Sequence, residues 1–136
     1  MALTHLLDTS VYSQPLRDQP HEIVLQRWSS LDENAIAISA LVHAELMQGL
    51  RARNSKKFWT RYHELLDGCY PILPFDRMVA DTYAGLVVEL QNAGRPKPAI
   101  DLMIAATALH HGLILVTLNI KDFDGIPGLS TACWCD

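Results

Sequence analysis

Short all-apolar runs alternate along this chain with longer stretches in which apolar residues recur every three or four positions. The first pattern predicts strands buried on both faces, and the second predicts helices with one buried stripe. Leu3 to Leu7, Ala35 to Ser39, Tyr70 to Leu73 and Leu113 to Thr117 read as strands, with a further one near Thr131 to Cys133. Helices are expected after Asp8, from about Pro20 to Ser30, from Ala40 to about Arg53, from Lys56 to Leu66, and after Asp76. Another runs from Ala99 to a stop at Gly112. Ser39 and Asp76 are the expected N-caps of their helices, and Thr9 or Ser10 that of the first. The stretch holding Asp122 and Asp124 beside Gly125 reads as loop.

Strands that alternate with helices imply a parallel sheet covered on both faces, an α/β fold. In such sheets ligands bind beyond the carboxyl ends of the strands, where the strand order switches direction. Asp8 falls at the end of the first predicted strand and Asn119 just beyond the fourth.

Composition narrows the class. Hydrophobic residues make up 49% of the 136 and charged residues 19%, which suits one globular domain over residues 1–136. No apolar run approaches the roughly 18 residues of a membrane span, and the segment ahead of Asp8 is too short for a signal peptide. The expectation is a soluble, cytoplasmic protein with no membrane partner. Cys69 is isolated and Cys133 and Cys135 flank Trp134, an odd set that predicts reduced thiols and completes no tetrahedral zinc site. A net charge of −4 does not advertise nucleic-acid binding. The bases are uneven, however, with Arg51, Arg53, Lys56, Lys57 and Arg61 close together and Arg95 and Lys97 on either side of Pro96. They read either as a solvated helix face or as a track for a phosphate backbone.

The acids carry the chemistry. Asp101 is the one charge in the run Ala99 to Leu109, and burying an unpartnered carboxylate costs several kcal/mol. It either caps the helix start, where the macrodipole favours it by about 0.3–1 kcal/mol, or it faces a polar, cation-holding cavity. Asp8 poses the same choice between N-cap and site. Glu45 lies at the edge of the apolar stripe formed by Val42, Leu46, Gly49 and Leu50, and Gly49 leaves room beside it. Carboxylates brought together raise one another's pKa unless a cation sits among them. Hard oxygen ligands select Mg²⁺ or Mn²⁺, which activate water and screen phosphoryl charge for phosphodiester hydrolysis. Asn119 or Asp122 is the candidate fourth position, and Asp124 reads as a loop acid. His43 reads as a surface histidine within reach of the site, and His110 and His111 as partners of a helix C-terminus. Trp28, Trp59 and Trp134 read as core or interface anchors.

Four segments together resemble the motifs of the PIN-domain ribonucleases. They are Leu6-Leu7-Asp8-Thr9-Ser10, Ser39 to Leu46, Asp101 to Ala108 and Val116-Thr117-Leu118-Asn119. Within that group the chain is most similar to the VapC and FitB toxins of bacterial toxin–antitoxin pairs. The resemblance implies a single PIN domain acting as a metal-dependent endoribonuclease, with Asp8, Glu45 and Asp101 as its Mg²⁺ or Mn²⁺ ligands. It places Asn119 where many relatives carry Asp, with Asp122 as the residue that compensates. It implies that Thr9 supports the first acid. Thr9, Arg51, Arg53, Lys56 and Lys57 are the candidate RNA contacts. It also implies a homodimer and a cognate antitoxin, whose basic segment suits the acidic groove because an arginine can take the cation's place. The alternatives are a PIN nuclease of RNA processing without an antitoxin, and a non-catalytic module that only binds a partner. A phosphoacceptor receiver domain needs an aspartate at the end of the third strand, where this chain has Leu73-Pro74.

Overall fold

The first two strands are short because the N-cap residue of a helix follows almost at once. The computed structural model describes residues 2–136. β1 (His5–Leu7) runs into Asp8, the N-cap residue of α1 (Thr9–Tyr12). β2 (Ile36–Ser39) ends on Ser39, whose Oγ accepts from the Val42 N–H at 3.1 Å and starts α3 (Ala40–Arg53). The predicted strands were therefore right in place and a residue or two long at their ends. Between them Pro15 shapes a 3₁₀ turn over Gln14–Leu16, and α2 (Glu22–Ser29) follows.

After α3, Asn54 adopts the left-handed conformation that closes the helix, and α4 (Lys56–Leu65) begins. β3 (Ile72–Leu73) leads to α5 (Arg77–Asn92), capped by Asp76 through the Val79 N–H at 3.0 Å. α6 (Ala99–His111) ends at Gly112, with φ +66°, and feeds β4 (Ile114–Val116). α7 (Ile120–Phe123) and β5 (Thr131–Ala132) complete the chain.

All strand pairs are parallel, in the order β3-β2-β1-β4-β5. The chain builds β1, β2 and β3 outward in one direction, then crosses back to place β4 on the other side of β1. The direction switch therefore lies between β1 and β4, where Leu6 pairs with Leu115 and Leu7 with Val116. The α/β expectation is borne out. Ile36, Ala37, Ile38 and Ser39 are all inaccessible to solvent, as a strand covered on both faces requires. On α6, Ala105, Ala106 and Ala108 are buried beside Leu102 and Ile104, so small side chains let this helix lie close to its neighbours.

The buried apolar residues form one cluster that includes Trp28 and Trp134. Trp28 donates from Nε1 to the Tyr70 hydroxyl at 2.9 Å and packs with Tyr12 and Tyr70. The half-buried Trp59 stacks on His63. All three tryptophans thus act as packing anchors. The expectation of reduced thiols holds for Cys69, which is free and exposed, and fails for the other pair. Cys133 and Cys135 are joined in a disulfide around the buried Trp134, their Cα atoms 5.3 Å apart. One intervening residue keeps two Cα atoms inside the span that a disulfide bridges.

Candidate active site

The switch point between β1 and β4 is where the acids gather. The Asp8 N–H donates to the Val116 carbonyl at 2.9 Å, continuing the ladder one step past β1. Asp8 occupies the N-cap position of α1, yet its side chain does not cap the helix. Its Oδ2 instead accepts from the Thr117 hydroxyl at 2.8 Å and the Ser10 hydroxyl at 3.0 Å. Those hydroxyls accept in turn, Ser10 from the Leu118 N–H at 3.0 Å and Thr117 from the Asn119 N–H at 3.0 Å. Asp8 is 7% exposed and Thr117 wholly buried, so each of these bonds satisfies a group that water reaches poorly. The network ties the end of β1 to the turn after β4.

Glu45 reaches the same place from α3. Its Oε1 accepts from the Thr9 hydroxyl at 2.6 Å, which corrects the expected role of Thr9. The first acid is supported by Ser10 and Thr117, and Thr9 supports the second. Thr9 heads α1 and points toward α3, whereas Ser10, one residue on, points back toward β4.

Asp101 lies in the first turn of α6 without forming a side-chain cap. It lines a cavity of about 340 Å³ together with Asp8, Thr9, Ser10, Ser13, Arg17, Glu45, Asn119 and Asp122. The cavity reading of Asp101 therefore stands over the capping one. The stretch read as loop is α7, a helical turn that lies at the cavity's fourth wall. Residues three apart share a helix face, so Asp122 comes back beside Asn119 and both face the acids. Asp124 and His43 do not line the cavity. His43 is half-buried, with an Nδ1 that has no hydrogen-bond partner.

Burial pushes the Asp101 carboxyl up to about 6, and the charges of Asp122, Asp8 and Glu45 push the same way against a partial offset from Lys97. Like charges held this close resist full ionisation unless a cation joins them. The donors are carboxylates, hydroxyls and a side-chain amide, all hard oxygen. Among the described residues no three His, Cys, Asp or Glu side chains are gathered into a group that holds a metal unaided.

The basic residues follow a different course. Lys57 and Arg61 pair with Asp18 at 3.0 and 2.9 Å and hold its carboxyl below the usual range. Arg53, Lys57 and Arg61 all lie over the buried ring of Phe58, at 4.2, 5.0 and 5.3 Å from its centre. Arg53 also lines a second cavity of about 580 Å³, which shares Thr9, Ser13, Arg17 and Glu45 with the acidic one. Arg51 and Lys56 are exposed and line neither cavity. Of the candidate RNA contacts, then, only Thr9 and Arg53 border the site. The chain pattern missed Ser10 and Thr117 as supports of Asp8, and Ser13 and Arg17 as cavity walls. A run of hydroxyls around the first acid and at the end of the fourth strand was the available signal for the first two.

Both the sequence and the fold have counterparts among known proteins. Residues 5–129 match the family model described as PIN domain. Toxin FitB of Neisseria gonorrhoeae is 38% identical, over 87% of this chain and 89% of its own length. Ribonuclease VapC1 of Rickettsia felis is 33% identical over 91% of each chain. The crystal structure of VapBC2 from Rickettsia felis, bound to a DNA fragment from their promoter, superposes with a TM-score of 0.81 and 30% identity. That match covers 98% of this chain and 99% of the other. With the family pattern spanning nearly all of the sheet and every acid of the cavity, this chain belongs to the PIN-domain family.

Proposed function

We propose that this protein is the toxin of a toxin–antitoxin pair and acts as an endoribonuclease that depends on Mg²⁺ or Mn²⁺. The observation that carries the reading is the convergence of Asp8, Glu45, Asp101 and Asp122 on one open cavity at the β1–β4 switch point. Its similarity to proteins named ribonuclease and toxin over nine-tenths of the chain supports the same conclusion.

Asp8, Glu45 and Asp101 would hold the cation, in part through its waters. Bound there, it screens phosphoryl charge and lowers the pKa of water. The hydroxyls of Ser10 and Thr117 fix the Asp8 carboxylate, and Thr9 fixes that of Glu45, so the ligand oxygens are oriented before substrate arrives. Asp122 and Asn119, brought in by α7, orient the attacking water or a second cation. The four acids repel a phosphodiester until their charge is offset, which couples substrate entry to cation binding.

The same charge defines the inhibitor. A basic antitoxin segment fits a cavity of this sign, and the relatives that crystallise as FitAB and VapBC2 support a two-protein system. Self-association as a homodimer belongs to the same reading. Among the described residues no helix is long and apolar enough to cross a membrane, and the proposed site of action is the cytoplasm.

The test is RNA cleavage by purified protein with Mg²⁺, with Mn²⁺ and with EDTA, beside an Asp101→Asn control. Cleavage that needs the cation and Asp101 is the expected result. Equal cleavage by the variant overturns the reading.

A further inference from the structure

We propose that Arg17 holds the RNA phosphate backbone at the rim of the acidic cavity, and that Lys57 and Arg61 serve RNA binding by clamping the residues on either side of it. The inference rests on the ribonuclease reading above and assigns a substrate contact within that same site.

Arg17 is exposed and lines both the acidic cavity and the adjoining groove, so it stands where the two meet. A guanidinium in a cavity with four carboxylates is expected to pair with one of them. Among the described residues it pairs with none, since the ion pairs formed there are Lys57 and Arg61 with Asp18 and His63 with Asp67. Its one side-chain bond is a long contact of 3.5 Å to the Ser13 hydroxyl. The cation that offsets Asp101 is Lys97. Apart from that one long contact, the donors of Arg17 are unspent.

Its backbone, by contrast, is fixed on both sides. The Arg61 guanidinium donates to the Leu16 carbonyl at 2.9 Å and pairs with the Asp18 carboxylate at 2.9 Å, bridging the residues before and after Arg17. Lys57 adds a second cation on Asp18. Gln14 anchors the start of the segment, donating from Nε2 to the Ser10 carbonyl at 3.0 Å and accepting from the His21 N–H at 2.9 Å. A free guanidinium on a pinned backbone presents paired N–H donors in a planar fork, the geometry that suits a phosphodiester. At this position it also offsets the repulsion that the four acids impose on an incoming polyanion. Two of the basic residues of α4 thus act through Arg17, their own charges being engaged with Asp18.

The experiment measures binding of a fluorescein-labelled, mixed-sequence single-stranded RNA by anisotropy across a salt series, in the Asp101→Asn background so that the probe stays intact. Arg17→Ala should weaken binding about tenfold and reduce the log–log salt slope by about 0.7, the loss of one single-strand phosphate contact. Arg17→Lys should keep the slope and recover part of the affinity. Asp18→Asn should also weaken binding, although it makes the protein less acidic and frees two cations. An unchanged affinity and slope in Arg17→Ala overturns the assignment. Tighter binding by Asp18→Asn overturns the clamp and returns Lys57 and Arg61 to direct contact with RNA. Calorimetry with Mg²⁺ alone on Arg17→Ala, in otherwise wild-type protein, supplies a further check. Tighter Mg²⁺ binding with an unchanged salt slope identifies Arg17 as a counter-charge for the acids and refutes the proposal. Cleavage by the wild type against Asp101→Asn keeps the two readings apart. Loss of cleavage in Asp101→Asn together with normal RNA binding by Arg17→Ala removes only the Arg17 assignment.

Discussion

The acids at the strand ends and the bases of α3 and α4 are both clusters of like charge, and the fold treats them in opposite ways. Lys57 and Arg61 share a carboxylate partner, and with Arg53 they lie over Phe58, so most of that charge is engaged at an exposed surface. Asp8, Glu45, Asp101 and Asp122 come together with hydroxyl partners or none, and burial first, with the neighbouring acids adding to it, pushes the Asp101 carboxyl up to about 6. A paired charge stabilises the chain that carries it. An unpaired cluster costs stability, which marks it as a candidate binding site. The contrast teaches that the number of charges in a stretch of sequence says less than whether the fold gives them partners.

The largest effect that would break this contrast is on activity. Asp8→Asn or Asp101→Asn should lower RNA cleavage by at least about 100-fold with the fold retained, since even groups that merely orient metal ligands contribute 10–100-fold. Cleavage by the double variant at the wild-type rate would show that the acid cluster is not the centre of the chemistry. Next, Mg²⁺ or Mn²⁺ should restore activity removed by EDTA and raise the melting temperature, whereas rescue by Zn²⁺ alone would contradict a hard-oxygen site.

The Asp8 network is tested by Thr117→Val, which keeps the shape and deletes the hydroxyl. One buried bond to a carboxylate is lost, and denaturant unfolding should show a destabilisation of about 1–3 kcal/mol. A change within error would mean that Ser10 alone satisfies Asp8.

Burial, reinforced by the repulsion of the neighbouring acids, gives Asp101 a pH signature of definite sign. The folded-state pKa of Asp101, about 6, lies above its ordinary 3.8, so folding favours the protonated form. The stability it contributes is fully present below about pH 3.8 and is lost as pH rises through about 6. Asp101→Asn escapes that loss. Its melting temperature should exceed the wild type's at pH 7.5 without added metal, and the gap should close toward pH 4. A gap that is constant with pH would remove the raised Asp101 pKa from the account.

On the basic side the effect is smallest. Lys57 and Asp18 are both more than half exposed, and Lys57→Ala should move the melting temperature by less than about 2 °C. A larger drop would mean that the α4 cluster is a structural keystone after all.

Periodicity located the elements well because the central strands are mostly apolar on both faces and the helices α3 and α5 carry side-chain caps, Ser39 and Asp76. The positions of Asp8, Glu45 and Asp101 were legible for the same reason. A charge at the edge of an apolar stripe is conspicuous within a window of ten residues. Three things were not legible. α7 has only four residues, too few for a period to show, so Asp122 looked displaced from the site it lines. Which hydroxyl serves which acid depends on the direction of α1 relative to β4, and adjacent residues Thr9 and Ser10 diverge to different carboxylates. The odd cysteine count said nothing about which two would meet around Trp134.

By itself, then, the sequence determined the alternation of buried strands and capped helices, and with it a parallel sheet that carries acids at its carboxyl ends. Those are local properties, written in the spacing of apolar residues and in the chemistry of single caps. The tertiary structure decided which charges are answered. Asp18 reaches the α4 bases across a gap in sequence, Thr117 reaches Asp8 from the other side of the switch point, and Arg17 is left unpaired beside four acids. Partnership of that kind depends on distances between elements remote in the chain, and only the packed sheet fixes them.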